Sequence, residues 1–342
     1  MTSRRARVRG NVDVGIDVSA LRQTQAGTAR YIRGLLGGLE QTDVDLHPFS
    51  FGGPGRLTAL ARDAGWYPVA LPLAARREGV AVLHCPTFRG PLRASVPLVV
   101  TVHDLAVLRH PDAFNRWTRA YSRTVVPLVV RAARRIISGS RFTASELHSL
   151  LAVSTERIVV IPYGTGPPFE PAGAAEDGDY VLCVGTLEPR KNLPRLVEAF
   201  ARAKLDGCEL RIVGSAGWGN IQLAGERVRW LGRVPDDELA RLYRGARCVA
   251  YVSLYEGFGL PVLEALACSA PVVAADIPPL REVAGDAAVY VDPLDPDTIA
   301  AGLREAVRRR DGLAKAGPER ARMFSWKRAA EETVAVYRDA AA

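Results

Sequence analysis

Short apolar runs alternate with stretches of helical periodicity along almost the whole chain. This alternation constrains the fold more than any other feature. A run too short for a helix, then an amphipathic helical stretch, then another short run is the pattern of parallel strands joined by crossover helices. In the first half, strands read at residues 12–18, 81–84, 97–102, 135–138 and 157–161, with helices over 28–39, 116–134 and 142–151. Residues 161–173, IPYGTGPPFEPAG, are dense in Pro and Gly and read as a linker. A second series then begins, with strands at 180–184, 209–213, 228–231, 248–252, 271–274 and 288–291. Its helices read at 193–203, 236–244 and 297–309, with one more opening at 261 and a last one over 326–339. The expectation is two α/β domains, 1–165 and 172–325, which also suits 342 residues at roughly 150 per domain.

Composition removes several alternatives. With 48% hydrophobic and 24% charged residues, the chain can bury two cores and is not a disordered one. No stretch reaches the roughly 20 apolar residues of a membrane span. The basic start, residues 1–11, runs into a strand-like VDVGIDV and not a signal-peptide core, so the expected location is cytoplasmic. Cys85, Cys183, Cys208, Cys248 and Cys268 are odd in number, scattered and nowhere spaced as CxxC, which points to buried reduced thiols and away from disulfides or zinc. The net charge of +8 suits nucleic acid, an anionic lipid surface or an anionic small substrate, and by itself does not choose among them.

Four stretches carry candidate chemistry. Residues 253–266, SLYEGFGLPVLEAL, place a glycine turn between an apolar strand and a helix that opens with Pro261. Such a helix start offers unpaired N–H groups to an anion, and Gly257 and Gly259, flanking Phe258 and followed by Leu260, let backbone approach a ligand closely. Glu256 sits on the turn, and Glu264, with seven residues between, leans back from one helical turn inside. Residues 184–192, VGTLEPRKN, also follow a strand and precede a helix. Arg190 and Lys191 there can grip a diphosphate, and cations so placed oppose the helix dipole unless an anion offsets them. Residues 26–31, AGTARY, form a strand-to-helix turn; Gly27 and Thr28 either contact phosphate or simply turn the chain. In residues 99–105, VVTVHDL, His103 and Asp104 fall just past a strand's carboxyl end, where open parallel sheets bind ligands, whereas His84 in VLHCP reads as structural.

Taken together, GTLEPRKNL, LGRVPDDELARLYRGA and SLYEGFGLPVLEALACSAPVVAADIPPLREVAG resemble the family-4 retaining glycosyltransferases, in their mannosyl/rhamnosyltransferase-like branch. The resemblance covers nearly the whole chain and is strongest over residues 180–293. It implies the GT-B fold: two Rossmann-like domains facing across a cleft, the first on the acceptor side and the second binding the nucleotide-sugar donor, with the final helix crossing back to the first. It further implies that Glu264 bonds the ribose, that Glu256 and the backbone of 258–260 meet the donor sugar and diphosphate, and that Lys191 and Arg190 neutralise the leaving group. His103 would face the donor sugar, Gly27 the diphosphate, and the backbone at Arg233 and Val234 the base. Two positions depart from the family pattern: Thr186 stands where many relatives carry Arg, and Ser269 where Gly is common.

The mechanism so implied is hexose transfer with retention, from GDP-mannose as the first expectation, with UDP-sugars and dTDP-rhamnose open, to a saccharide or lipid-linked acceptor. No cofactor or essential metal is expected; in Asp295-Pro296-Asp297, Asp297 reads as a helix cap and not as a metal ligand. Two rivals stay open: a sugar-nucleotide 2-epimerase on the same fold, which the Glu256/Glu264 turn argues against, and a non-catalytic nucleic-acid-binding protein, which lacks the expected clustering of basic and aromatic residues. The arginines of 116–135, interleaved with Trp117 and Tyr121, suit either an amphipathic core helix or a peripheral contact with the inner face of a membrane, the core helix being preferred.

Overall fold

The computed structural model describes residues 11–23, 27–53, 55–111, 114, 116–219, 221 and 223–342. Residues 1–10 of the basic start and Ala26 of the third stretch lie outside the described residues. The chain divides into two compact units: Met1–Leu108 with Asn115–Gly164 and Trp326–Ala342, and Arg109–Phe114 with Thr165–Ser325.

The first unit is built on six parallel strands: β1 Val12–Asp17, β2 Val44–Phe49, β3 Val82–Cys85, β4 Leu98–Val102, β5 Arg135–Ser138 and β6 Ile158–Val160, in the order β2-β1-β3-β4-β5-β6. Val14 and Ile16 of β1, Leu83 of β3, Val100 of β4 and Ile136 of β5 are shut off from solvent. Strands covered on both faces read as unbroken apolar runs, which is why most of them are visible in sequence. The exception is β2, VDLHPF, which is half-buried and edges the sheet. Pro48 has no N–H to give, a loss tolerated at an edge, and His47 reaches Asp13 across the ladder at 3.1 Å.

The helix Gly27–Leu39 lies against the last helix, Trp326–Ala341, which therefore belongs to the first unit. Their approach depends on two glycines one helical turn apart. A Cβ on Gly34 would stand 2.1 Å from Cε2 of Trp326, and one on Gly38 2.5 Å from the Trp326 carbonyl oxygen. A buried polar chain adds to the seam: His84 Nδ1 to the Tyr337 hydroxyl at 2.7 Å, His84 Nε2 to Thr101 Oγ1 at 2.9 Å, and Thr101 Oγ1 to the Tyr31 hydroxyl at 3.0 Å. In the helix Arg116–Ala132, Val126, Val129 and Val130 are buried in the core, and Arg157 donates to the carbonyls of Val130, Arg131 and Ala133 at its end.

The second unit has six parallel strands: β7 Tyr180–Val184, β8 Glu209–Val213, β9 Val228–Gly232, β10 Cys248–Tyr251, β11 Val272–Ala275 and β12 Ala288–Val291, ordered β12-β11-β10-β7-β8-β9. Its first strand is central, so the direction of winding reverses between β7 and β10. Helix Leu193–Ala203 buries Leu193, Leu196, Ala199, Phe200 and Ala203, one apolar stripe at helical spacing, against this sheet. All five cysteines are buried and free. No helix among the described residues is long and apolar enough to cross a membrane.

Two sequence expectations need correction. The cap of helix Pro296–Arg308 is Asp295, whose side chain accepts the Asp297 N–H at 2.8 Å; Asp297 lies inside the first turn and pairs with Arg202. Helices over residues 56–78, at Pro278–Ala284 and at Arg310–Ala321 escape the sequence reading. The last buries only Leu313, Gly317 and Ala321 and carries Pro318 internally, so its apolar stripe is thin and its propensity poor. Ser269, where a glycine is common, does adopt the left-handed backbone, at φ +60°.

Candidate functional site

The reversal between β7 and β10 leaves the loops after these strands side by side, and ligands of open parallel sheets bind at such a point. The loop after β7 runs through Gly185 and Thr186 into a single turn, Pro189–Lys191. Asn192 then takes the left-handed conformation at φ +61° and starts the next helix. Its side-chain amide donates to the carbonyls of Val252 at 3.0 Å and Pro293 at 2.7 Å, which fastens this loop to those after β10 and β12. The backbone adds a bond from Leu254 N–H to the Arg190 carbonyl at 2.9 Å.

Arg190 and Lys191 are thereby held on a turn ahead of the helix, and both reach Glu256. Lys191 Nζ lies 2.6 Å from Glu256 Oε1 and donates to the Tyr251 hydroxyl at 2.7 Å. Arg190 donates to Glu256 Oε2 at 2.9 Å, to the Tyr255 carbonyl at 2.9 Å and to Glu188 Oε1 at 2.6 Å. Glu256 is 7% exposed and Glu188 3%. Burial pushes the Glu256 carboxyl up, but the charges of Arg190 and Lys191, with hydrogen bonds from Lys191 and Ser253, more than reverse this and hold it at about 2. The dipole cost of cations before a helix is thus offset here by the chain's own carboxylates.

After Glu256 the backbone passes Gly257 and Phe258 to Gly259, at φ +108°, where a side chain would meet Leu280 at 2.5 Å. Glycine is needed there, and helix Leu260–Ala267 begins at the next residue. Glu264 is 3% exposed within that helix and accepts from the Tyr243 hydroxyl at 3.2 Å. Thr186 is half-buried, and Val234 is buried just past β9. The second unit thus gathers Arg190, Lys191 and Glu256 into one ion cluster, with Glu264 engaged by a different neighbour. Glu188, Tyr251 and Tyr255 complete the cluster and are absent from the sequence expectation. Glu188 could have been found, since a carboxylate two residues before Arg190 in LEPRKN is an obvious partner for it.

His103 and Gly27 lie in the first unit. His103 follows β4 as expected, but both ring nitrogens are engaged: Nε2 with the Pro86 carbonyl at 3.0 Å and Nδ1 with the Tyr163 hydroxyl at 2.7 Å. A carbonyl only accepts, so Nε2 carries the proton and Nδ1 accepts from Tyr163. Burial holds the ring's pKa down to about 4, against smaller upward pulls from Asp104 and the Pro86 carbonyl. Gly27 opens its helix with open space where a Cβ would stand. Among the described residues no three or more His, Cys, Asp or Glu side chains are grouped so as to hold a metal ion.

Comparison with known proteins matches residues 169–323 to the family described as "Glycosyl transferases group 1" and residues 26–166 to "Glycosyltransferase Family 4". The chain is 32% identical over 282 residues to O-antigen chain mannosyltransferase B of Escherichia coli, covering 75% of this chain and 74% of that protein. Among solved structures, sucrose-phosphate synthase from Thermosynechococcus elongatus superposes with a TM-score of 0.76 at 19% identity, over 96% of this chain and 99% of that one. Anabaena HepE in complex with UDP-glucose does so with a TM-score of 0.71 at 16% identity, over 96% and 100% of the two chains. Likenesses of such low identity speak to fold alone, and the fold is that of two Rossmann-like units, GT-B.

Proposed function

Since the chain belongs to glycosyltransferase family 4 and is a glycosyltransferase, we propose that it moves a hexose, with retention at the anomeric carbon, from a nucleoside-diphosphate sugar to a hydroxyl of a saccharide or lipid-linked acceptor. The observation that carries this reading is the cluster of Lys191, Arg190 and Glu256 at the point where the second sheet reverses its winding. GDP-mannose is the preferred donor, because the Escherichia coli relative is a mannosyltransferase by name. The UDP-glucose complex of Anabaena HepE keeps UDP-sugars in the comparison.

In this reading the second unit takes the donor and the first the acceptor. Lys191 and Arg190 receive the diphosphate, with Thr186 beside them. Glu256 and the backbone of Gly257, Phe258, Gly259 and Leu260 meet the sugar, Glu264 takes the ribose hydroxyls, and the backbone at Val234 the base. His103 and Gly27 serve from the first unit. The bond from the anomeric carbon to the diphosphate oxygen breaks as the acceptor oxygen bonds to the same face, and the acceptor's proton passes to the departing phosphate. Charge grows on the leaving oxygen, where a fixed cation is worth most; losing one such donor costs roughly 10²–10³ in kcat. Two side-chain cations supply that charge, so activity should survive EDTA. Its loss, with recovery on adding Mn²⁺, would overturn this part.

The test is a thermal-shift and calorimetry panel with GDP-mannose, UDP-glucose, UDP-GlcNAc and dTDP-rhamnose, on the wild type and Glu264→Ala. A donor stabilises the folded chain by mass action. One nucleotide should raise the Tm, and the shift should vanish in the variant. No shift with any of the four defeats the reading.

A further inference from the structure

Lys191 and Arg190 are the two cations offered to a diphosphate, yet neither is idle. Glu256 bridges them, one carboxylate oxygen to each, at 2.6 and 2.9 Å, and Arg190 is also bound by Glu188 at 2.6 Å. Two cations therefore face two buried carboxylates, and the cluster holds no surplus positive charge for an incoming anion. We propose that Glu256 is an internal counter-ion that competes with the donor's diphosphate for Lys191 and Arg190. It cedes them when a nucleoside diphosphate binds and reclaims them when the product leaves. This deepens the donor reading above and rests on it.

The local structure favours an exchange in which the carboxylate moves and the cations stay. The turn bearing Arg190 and Lys191 is fastened by Asn192 to two neighbouring loops and by the Arg190 carbonyl to Leu254. Tyr251 holds the Lys191 ammonium by its hydroxyl and lies beneath it as a ring, 4.9 Å to the centroid. Glu256, by contrast, is followed at once by Gly257 and, two residues on, by Gly259. Burial matters as well. The side chains of Arg190 and Lys191 are only 16% and 11% exposed, and cations so poorly hydrated are costly to leave bare, so the carboxylate leaves as another anion arrives. The same competition helps eject the nucleoside diphosphate once the sugar is gone, and it gives Glu256 a role in product release apart from any contact with the sugar.

The experiment is calorimetric titration of the whole chain with inorganic pyrophosphate, GDP and UDP, in the wild type, Glu256→Gln and the double variant Glu256→Gln/Lys191→Met. The glutamine variant should bind pyrophosphate and the preferred nucleotide at least tenfold more tightly than the wild type, and the double variant should lose that gain. Equal or weaker binding by Glu256→Gln overturns the proposal. If that variant does not fold, Glu256→Asp withdraws the charge by one methylene. A smaller gain is then expected, and no gain overturns the proposal. If wild type and variants all ignore the three ligands, the donor reading falls and this role with it. If the wild type binds and the variants do no better, only the counter-ion role falls.

Discussion

Nδ1 of His84, on the third strand, lies 2.7 Å from the hydroxyl of Tyr337 on the last helix, 253 residues further along the chain. Both side chains are shut off from solvent. Tyr337→Phe removes the hydroxyl and leaves a buried ring nitrogen without its partner, which should cost about 1–3 kcal/mol. Urea unfolding reads this directly. A midpoint equal to that of the wild type would mean that the bond adds nothing to holding the helix.

Acid should unfold the chain earlier than carboxylates alone would allow. Burial, with His103 nearby, holds the pKa of His84 down to about 3 against an ordinary 6.5, and burial holds His103 at about 4. Both are depressed, so the unfolded chain takes up protons that the folded one refuses. Their contribution is whole above pH 6.5 and drains away as pH falls, down to about 4 for His103 and about 3 for His84, at up to about 1.4 kcal/mol per pH unit for each ring. Glu256, held at about 2 from 4.5, adds a further loss only below pH 4.5. Unfolding midpoints at pH 8, 7, 6 and 5 should be flat over the first pair and drop steeply over the last. A flat profile down to pH 5 would contradict the burial of these rings.

Gly34 and Gly37 make a matched pair in one helix. A methyl on Gly34 would press into the indole of Trp326, whereas nothing lies within 4 Å of a Cβ on Gly37. Gly34→Ala should destabilise by about 1–3 kcal/mol through overpacking. Gly37→Ala should stabilise by up to about 1 kcal/mol, because alanine suits a helix better. Thermal melts showing the same sign for both would mean that the two helices do not meet as described.

Asp295 and Asp297 separate in the same manner. Asp295→Ala takes away a side-chain cap and should cost about 1 kcal/mol. Asp297→Ala gives up only an exposed pairing with Arg202, screened by water, and should change little. Chemical denaturation of both variants checks the order, and the reverse order would restore Asp297 as the cap.

What the sequence conveyed and what it hid follow from how each element is stabilised. β4 and β7 are buried throughout and appear as apolar runs; β2 is stabilised from one side at an edge, so its Asp45, His47 and Pro48 read as loop. Arg190, Lys191 and Glu256 were legible because glycine turns between strand and helix mark the carboxyl edge of a parallel sheet. That the two cations would be matched by Glu256 and Glu188 was not, since Glu256 lies 65 residues from Lys191 and only the parallel pairing of β7 with β10 joins their loops. His103 was placed correctly at its strand end, yet its hydrogen bonds to Pro86 and Tyr163 depend on strand order, which local sequence does not encode.

The last helix belongs to the unit that the first residues begin, and this orders events during synthesis. Trp326 leaves the ribosome 292 residues after Gly34. The second unit, apart from a short piece of chain, is continuous from Thr165 to Ser325 and can fold as it emerges, domain by domain. The first unit cannot close: the groove at Gly34 and Gly38 and the ring nitrogen of His84 wait for residues that have not yet been translated. The unit begun before the other is closed only after it, and in the interval its unclosed seam is the surface a chaperone would have to guard.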